Sequence, residues 1–247
     1  MIQVDGIFVQ QGGGGPVGPK YKYTGLSKLK TTQVGDEITW EILFITSGIL
    51  TPLENLVVDI FIAGAGGGAV AGILGQKYGA GGGGGYVKNL TKITLSANAQ
   101  YEIIIGAGGI SINVATATAT AGGKSSIKIG DTIHEALGGS PAQYLPDGRT
   151  RAGDGGSGGA GSGGNPGIDG GDGTSGVPQQ SIPGKGSGES TRAYGDGELY
   201  CSGGGCSSVK DLGIENSGNG GWAHESDAIT TNGSDGIVAI RLHKEAA

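Results

Sequence analysis

The chain has 247 residues, enough for one large or two small domains, and 57 of them are glycine, roughly three times the usual share of about 7%. Only 15% are charged and the net charge is −6, so a basic surface for nucleic acid or an anionic membrane is missing. No apolar run approaches the roughly 20 residues of a membrane-spanning helix, and the start, MIQVDGIFVQQGGGG, lacks the pattern of a secretory signal.

Residues 1–36 open with IQVDGIFV, alternating as a strand does, then cross the Gly/Pro connector QQGGGGPVGPKYKY. They are expected to form an N-terminal attachment segment. A β-rich body follows over 37–149. DEITWEILFITSGILTP sets Ile38, Trp40, Ile42 and Phe44 on one strand face, and NLVVDIFIAGAGGG is apolar from Leu56 to Ala63 before it dissolves into glycine. GYVKNLTKITLSANAQYEIIIGAGG and KSSIKIGDTIHEALGG repeat that junction of strand and glycine. No segment carries a helical period.

Residues 150–236 are the glycine-rich region, with 12 glycines in the 21 positions from Gly153 to Gly173. The final stretch, 237–247, begins with the strand GIVAIRL, which should close the β body. A chain without side chains can wind into an extended helix of three residues per turn and pack against its own copies through backbone hydrogen bonds. Runs of small residues punctuated by NPGID, GVPQQSIPGK and NSGNGG suit that better than a flexible linker does. The expected fold is therefore mainly β: a β-sandwich or jelly-roll-like body carrying a polyglycine II helix bundle, with no substantial α-helix.

Several chemical signatures fail on inspection. GGKSS, Gly122 to Ser126, ends like a phosphate-binding loop, but Thr118 stands where its first glycine belongs. GIDGGDGTSG does not recur at the nine-residue period of calcium-binding repeats, and His134, His224 and His243 are scattered without zinc spacing. There is no nucleophile elbow. Neither catalytic residues, a metal nor a cofactor is expected. Cys201 and Cys206, in CSGGGC, can close a small disulfide loop or stay reduced, with reduction the default where no secretion signal is read.

The remaining candidates are aromatic and amide side chains in glycine-rich loops, suited to stacking on sugars or filling a partner's pocket. They are Tyr78, Tyr144, Gln179, Gln180, Trp222 and His224. Trp222 is expected to stand outside the strands as a binding anchor.

The succession WEILFITSGILTP, VDIFIAGAGGG, GGGGGYVKNL, YEIIIGAGG, GGKSS, STRAYGDGELYCSGGG and GSDGIVAIRL resembles the glycine-rich tail proteins of phages and prophages of Gram-positive bacteria. More distantly it is similar to the tail-fibre tip adhesins of T-even-type phages, whose polyglycine II helices display receptor-binding loops. The resemblance implies a non-enzymatic virion protein of the distal tail, assembled in the host cytoplasm. Its partners would be a host cell-surface glycan or protein and other phage tail proteins, with an oligomer of the chain compatible with this, and without nucleic acid or membrane insertion. Two further readings stand beside it: a purely structural tail or baseplate component, and an ice-binding protein.

Overall fold

The structure, a computed structural model, describes residues 3–4, 7–8, 18–72, 79–113, 118–145, 150–156, 159, 194, 200–206, 215–224 and 228–245. Among them the secondary structure is all strand: β1 (Gln3–Val4), β2 (Ile7–Phe8), β3 (Tyr21–Tyr23), β4 (Ser27–Val34), β5 (Glu37–Phe44), β6 (Gly48–Pro52) and β7 (Leu56–Ala63). These are followed by β8 (Val87–Leu95), β9 (Tyr101–Ile104), β10 (Ser125–Ile129), β11 (Thr132–Ala136), β12 (Gln143–Tyr144), β13 (Thr150–Arg151) and β14 (Ile237–Leu242). No helix among the described residues is long and apolar enough to cross a membrane.

Two antiparallel sheets form a sandwich. One runs β3-β6-β9-β10-β11, with the short β1 and β2 beyond β3; the other runs β4-β5-β14-β7-β8, and β12 pairs with β13 as a separate hairpin. Two hairpins turn on a two-residue Gly-Asp loop. Gly35 and Gly130 take φ of 62° and 58° there, the positive value that a type II′ turn needs at its first position. The C-terminal strand does more than close the body. It lies in the middle of its sheet, with β5 on one side and β7 on the other.

Alternation decides which residues fill the sandwich. Trp40, Ile42 and Phe44 of β5 point inward with Leu56, Val58, Ile60 and Ile62 of β7 and Val238 and Ile240 of β14. The opposite sheet sends in Tyr21, Tyr23, Leu50, Tyr101, Ile103 and Ile127. The last part of β7 is apolar on both faces because its outer face is also covered. Phe61 and Ala63 meet Tyr194, Tyr200 and Cys201, with ring centroids 5.1 Å from Phe61 to Tyr194 and 5.0 Å to Tyr200.

Farther along that outer face, charge alternates across all five strands at one level. The register sets Lys30 opposite Glu41, Glu41 opposite Arg241 and Arg241 opposite Asp59, whose carboxylate accepts the Lys92 N–H at 3.0 Å beside a β-bulge. Exposed pairs of this kind contribute little each. Their value is register: a one-residue slip of β14 would carry Arg241 into the core.

Beyond the sandwich the chain leaves the β form without losing its hydrogen bonds. Along 64–68 and again at Val70 the acceptors of successive N–H groups rotate with a period of three. Gly64, Gly67 and Val70 donate to Tyr86, Gly83 and Ala80; Ala65 and Gly68 donate to Gly123 and Thr120; Gly66 donates to Ser234. Every third residue therefore faces the same neighbour, the signature of three residues per turn. The carbonyls do likewise. Those of Ala65 and Gly68 accept from Gly139 and Ala142, those of Gly66 and Ala69 from Gly109 and Ile112, and that of Gly67 from Gly221. Three donor and three acceptor directions give six neighbours, which is hexagonal packing.

The ring around this hub closes on itself. Taking 80–86, 137–142, 118–124, 105–112, 230–236 and 217–224 in turn, adjacent members are joined by Gly83→Ser140, Gly122→Gly139, Gly123→Ala107, Gly233→Gly109, Ser234→Asn219 and Gly82→Gly221 N–H···O=C bonds of 2.8–3.0 Å. Segments 152–156 and 200–206 pack on 80–86 from its other side, through Gly153→Gly81, Gly156→Gly84 and Gly204→Gly82 bonds. The polyglycine II bundle is thus woven from the 37–149 and 150–236 spans together. Of the run Gly153 to Gly173, the part beyond residue 159 lies outside the described residues.

Where an outer segment lacks a backbone partner, side chains substitute. Asn232 and Asp235, three residues apart, accept the Ser111 and Gly108 N–H groups, and Asn219 accepts that of Ser202 at 2.8 Å. Asn219→Ala is expected to cost about 1–2 kcal/mol, because the Ser202 N–H loses its acceptor in a part-buried place. A urea midpoint equal to that of the wild type would show that water replaces the amide.

Candidate functional site

The bundle has two unlike ends. At one, its segments run directly into sandwich strands: Ala63 into Gly64, Tyr86 into Val87, Ile104 into Ile105, Lys124 into Ser125, Ala136 into Leu137 and Gly236 into Ile237. At the other end the hydrogen-bond register places Val70 opposite Ala80, Ile112 beside Ala69 and Ala71, and Gly72 beside His224. The connections 73–78, 114–117, 146–149 and 225–227 all leave from this far end.

Beneath them the lattice is closed by a small apolar layer. Val70, Ala80, Ala119, Ala142 and Ala152 meet there, one from each of five segments, with Ile112 and Tyr144 packed on them. Four of these five side chains are alanine, small enough to be buried between hydrogen-bonded segments. The Tyr144 hydroxyl donates to the Ala71 carbonyl at 2.6 Å, and burial pushes its phenol above the ordinary value. Tyr144 is therefore half-buried and tied to the hub.

Trp222 corrects the expectation of an exposed anchor. It is 3% exposed. Its backbone is locked to Thr231 by an N–H to Oγ1 bond of 3.0 Å and a return Thr231 N–H to Trp222 carbonyl bond of 2.8 Å. It sits inside a lattice segment rather than in a turn, so burial of its large ring is the reason for its place. His224 lies edge-on to it, with ring centroids 6.0 Å apart, and its carbonyl accepts the Gly72 N–H. Tyr144, Trp222 and His224 are thus gathered at one end of the bundle, through contacts with 71–72 and 231. Tyr78, Gln179 and Gln180 lie outside the described residues.

The two cysteines belong to the lattice. Both are buried and not joined in a disulfide; Cys201 Sγ lies 3.6–3.7 Å from the Tyr86 and Gly64 carbonyls at the sandwich end, and Cys206 Sγ lies 3.2 Å from that of Gly79 at the far end. Five residues of extended helix separate them by about 15 Å at about 3.1 Å each, well past the reach of roughly 7 Å that a disulfide allows. Among the described residues, no group of three or more His, Cys, Asp or Glu is placed to hold a metal ion.

One feature of the surface escaped the sequence reading. On the outer segments every third residue is exposed: Ala107, Ile110 and Asn113; Thr118, Ala121 and Lys124; Leu137, Ser140 and Gln143; Ile229, Asn232 and Asp235. The signal is the three-residue spacing of larger side chains in AGGISIN and GGSPAQ, which marks the outward face. It brings Ile110 and Ile229, 59% and 48% exposed, to the surface of the bundle.

No match to the chain is found among curated proteins. A family model described as a glycine-rich domain matches residues 46–243, from just before β6 to just past β14, and so takes in the sandwich strands from β6 onward and every described segment of the bundle. The chain belongs to this glycine-rich domain family.

Proposed function

We propose that the chain is a phage tail or tail-fibre tip protein that acts as a receptor-binding adhesin for a bacterial host surface. The observation that supports this reading best is the polarity of the bundle, anchored in a sandwich at one end and giving off connections at the other. Backbone hydrogen bonds of the lattice hold the described residues that flank those connections. Holding the base of a binding loop in place reduces the entropy lost on binding, and several copies on one particle add avidity. The sandwich end is then the side that joins other tail proteins. Neither nucleotide, cofactor nor metal has a part in this reading, and the chain is not an enzyme in it.

Binding of the purified, fluorescently labelled protein to whole cells of a panel of Gram-positive strains tests the proposal. Saturable, strain-restricted binding is expected, and Tyr78→Ala or Gln179→Ala should weaken it by about 1–3 kcal/mol if either is an anchor. A protein that folds and binds no strain would favour a purely structural tail or baseplate component. The burial of Trp222 is the one observation that leans toward that second reading.

A further inference from the structure

The two outer faces of the sandwich are treated differently. That of the β4-β5-β14-β7-β8 sheet is covered by Tyr194 and Tyr200 at one end and laddered with charge at the other. That of the β3-β6-β9-β10-β11 sheet carries isoleucines and no covering layer among the described residues. Ile49 and Ile104 are each 39% exposed and Ile133 is 57% exposed. On the adjoining bundle segments Ile110 and Leu137 are 59% and 54% exposed. Outer faces of antiparallel sandwiches are ordinarily polar, and large apolar side chains recurring on one of them point to an interaction surface.

The register shows what fits it. Ile49 lies opposite Glu102, and Lys128 lies opposite Ile133. Ser126 pairs with Ile104 and Ile127 with Ile103, so continuing that antiparallel register sets Lys128 beside Glu102. Read from β6 to β11, one row across the face is therefore Ile49, Glu102, Lys128, Ile133: apolar, acid, base, apolar. Reversed, it is its own complement. A twofold axis parallel to the strands, between β9 and β10, lays Ile49 on the partner copy's isoleucine and each acid on a base.

We propose that this face binds a second copy of the chain, sheet against sheet, in an isologous dimer. The packing is that of two aligned sheets about 10 Å apart, with the Glu102 and Lys128 pairs fixing which strand lies over which. The inference is independent of any host receptor, since the far-end connections take no part in it.

Sedimentation velocity on the full chain, from micromolar to hundreds of micromolar, tests it. The wild type is expected to dimerise reversibly. Glu102→Lys and Lys128→Glu each set like charges face to face and should weaken the dimer at least about tenfold. Both side chains are exposed, so the thermal midpoints should stay at the wild-type value. Mixing the two single variants should restore a dimer, because one then presents two bases and the other two acids, and the double swap E102K/K128E should dimerise as the wild type does. A wild type that stays monomeric throughout overturns the proposal, as do single variants that dimerise undiminished or a mixture that fails to associate.

Discussion

Gly67→Val is expected to abolish cooperative folding, with a loss above about 4 kcal/mol and no soluble native protein at 37 °C. Gly66, Gly67 and Gly68 point their missing side chains at three different segments: a Cβ would meet the carbonyls of Asn219, Ser140 and Ile110 respectively, closer than any real Cβ approaches. Each obstacle is backbone, held on both sides by its own hydrogen bonds. Ordinary overpacking costs about 1–3 kcal/mol because neighbouring side chains yield; here relief requires 64–72 to part from 137–142, breaking the Gly139 and Ala142 bonds to Ala65 and Gly68. Losses of this size belong to a short list of mechanisms, of which an unrelievable core clash is one. Ala107→Val is the control. Ala107 is outward and exposed, so its midpoint should shift by under about 0.5 kcal/mol. Gly67→Val with a wild-type urea midpoint would mean that the lattice is loose enough to admit a side chain.

The strands were legible because strand alternation is a local signal. Glu37–Phe44 falls where its period-two pattern puts it, Leu56–Ala63 and Ile237–Leu242 fall where their short apolar runs put them, and the strand-to-glycine junctions at Ala63, Ile104 and Ala136 mark the joints between sandwich and bundle. The bundle itself was legible only as composition. Glycine carries no side chain to show which direction is inward, so the three-residue period shows only where larger residues stand outside, as at Ala107, Ile110 and Asn113. The neighbours of each segment lie far off in sequence, as Gly66 and Ser234 do, and no local rule pairs them. The glycine-rich composition of the run after Gly153 therefore gives no sign that 64–72 is the hub, nor that 80–86 beside it also bonds 152–156 and 200–206. The same holds for the alternation of Lys30, Glu41, Arg241 and Asp59, which exists only once four strands are in register.

Trp222→Ala is the second substitution with a large expected effect, and it reverses the role the sequence suggested for this residue. A tryptophan that follows two glycines outside the strands reads as a side chain with nothing to pack on, hence open to a partner. In the lattice the ring is covered instead, with the His224 ring edge-on to it. At 3% exposed, against 8% for the sandwich's own Trp40, Trp222 is at least as well covered as a core residue. Removing the indole leaves a cavity that rigid hydrogen-bonded backbone cannot fill by collapse, so the loss should reach about 3–5 kcal/mol, the range for Trp→Ala in a core. Trp40→Ala should fall in the same range. If Trp222→Ala keeps the wild-type thermal midpoint while Trp40→Ala loses it, the indole is peripheral to the fold. With the expected loss, reduced cell binding by Trp222→Ala would report unfolding, and a variant that keeps an aromatic ring and most of the volume, such as Trp222→Phe, is needed to reveal a direct contact with a receptor.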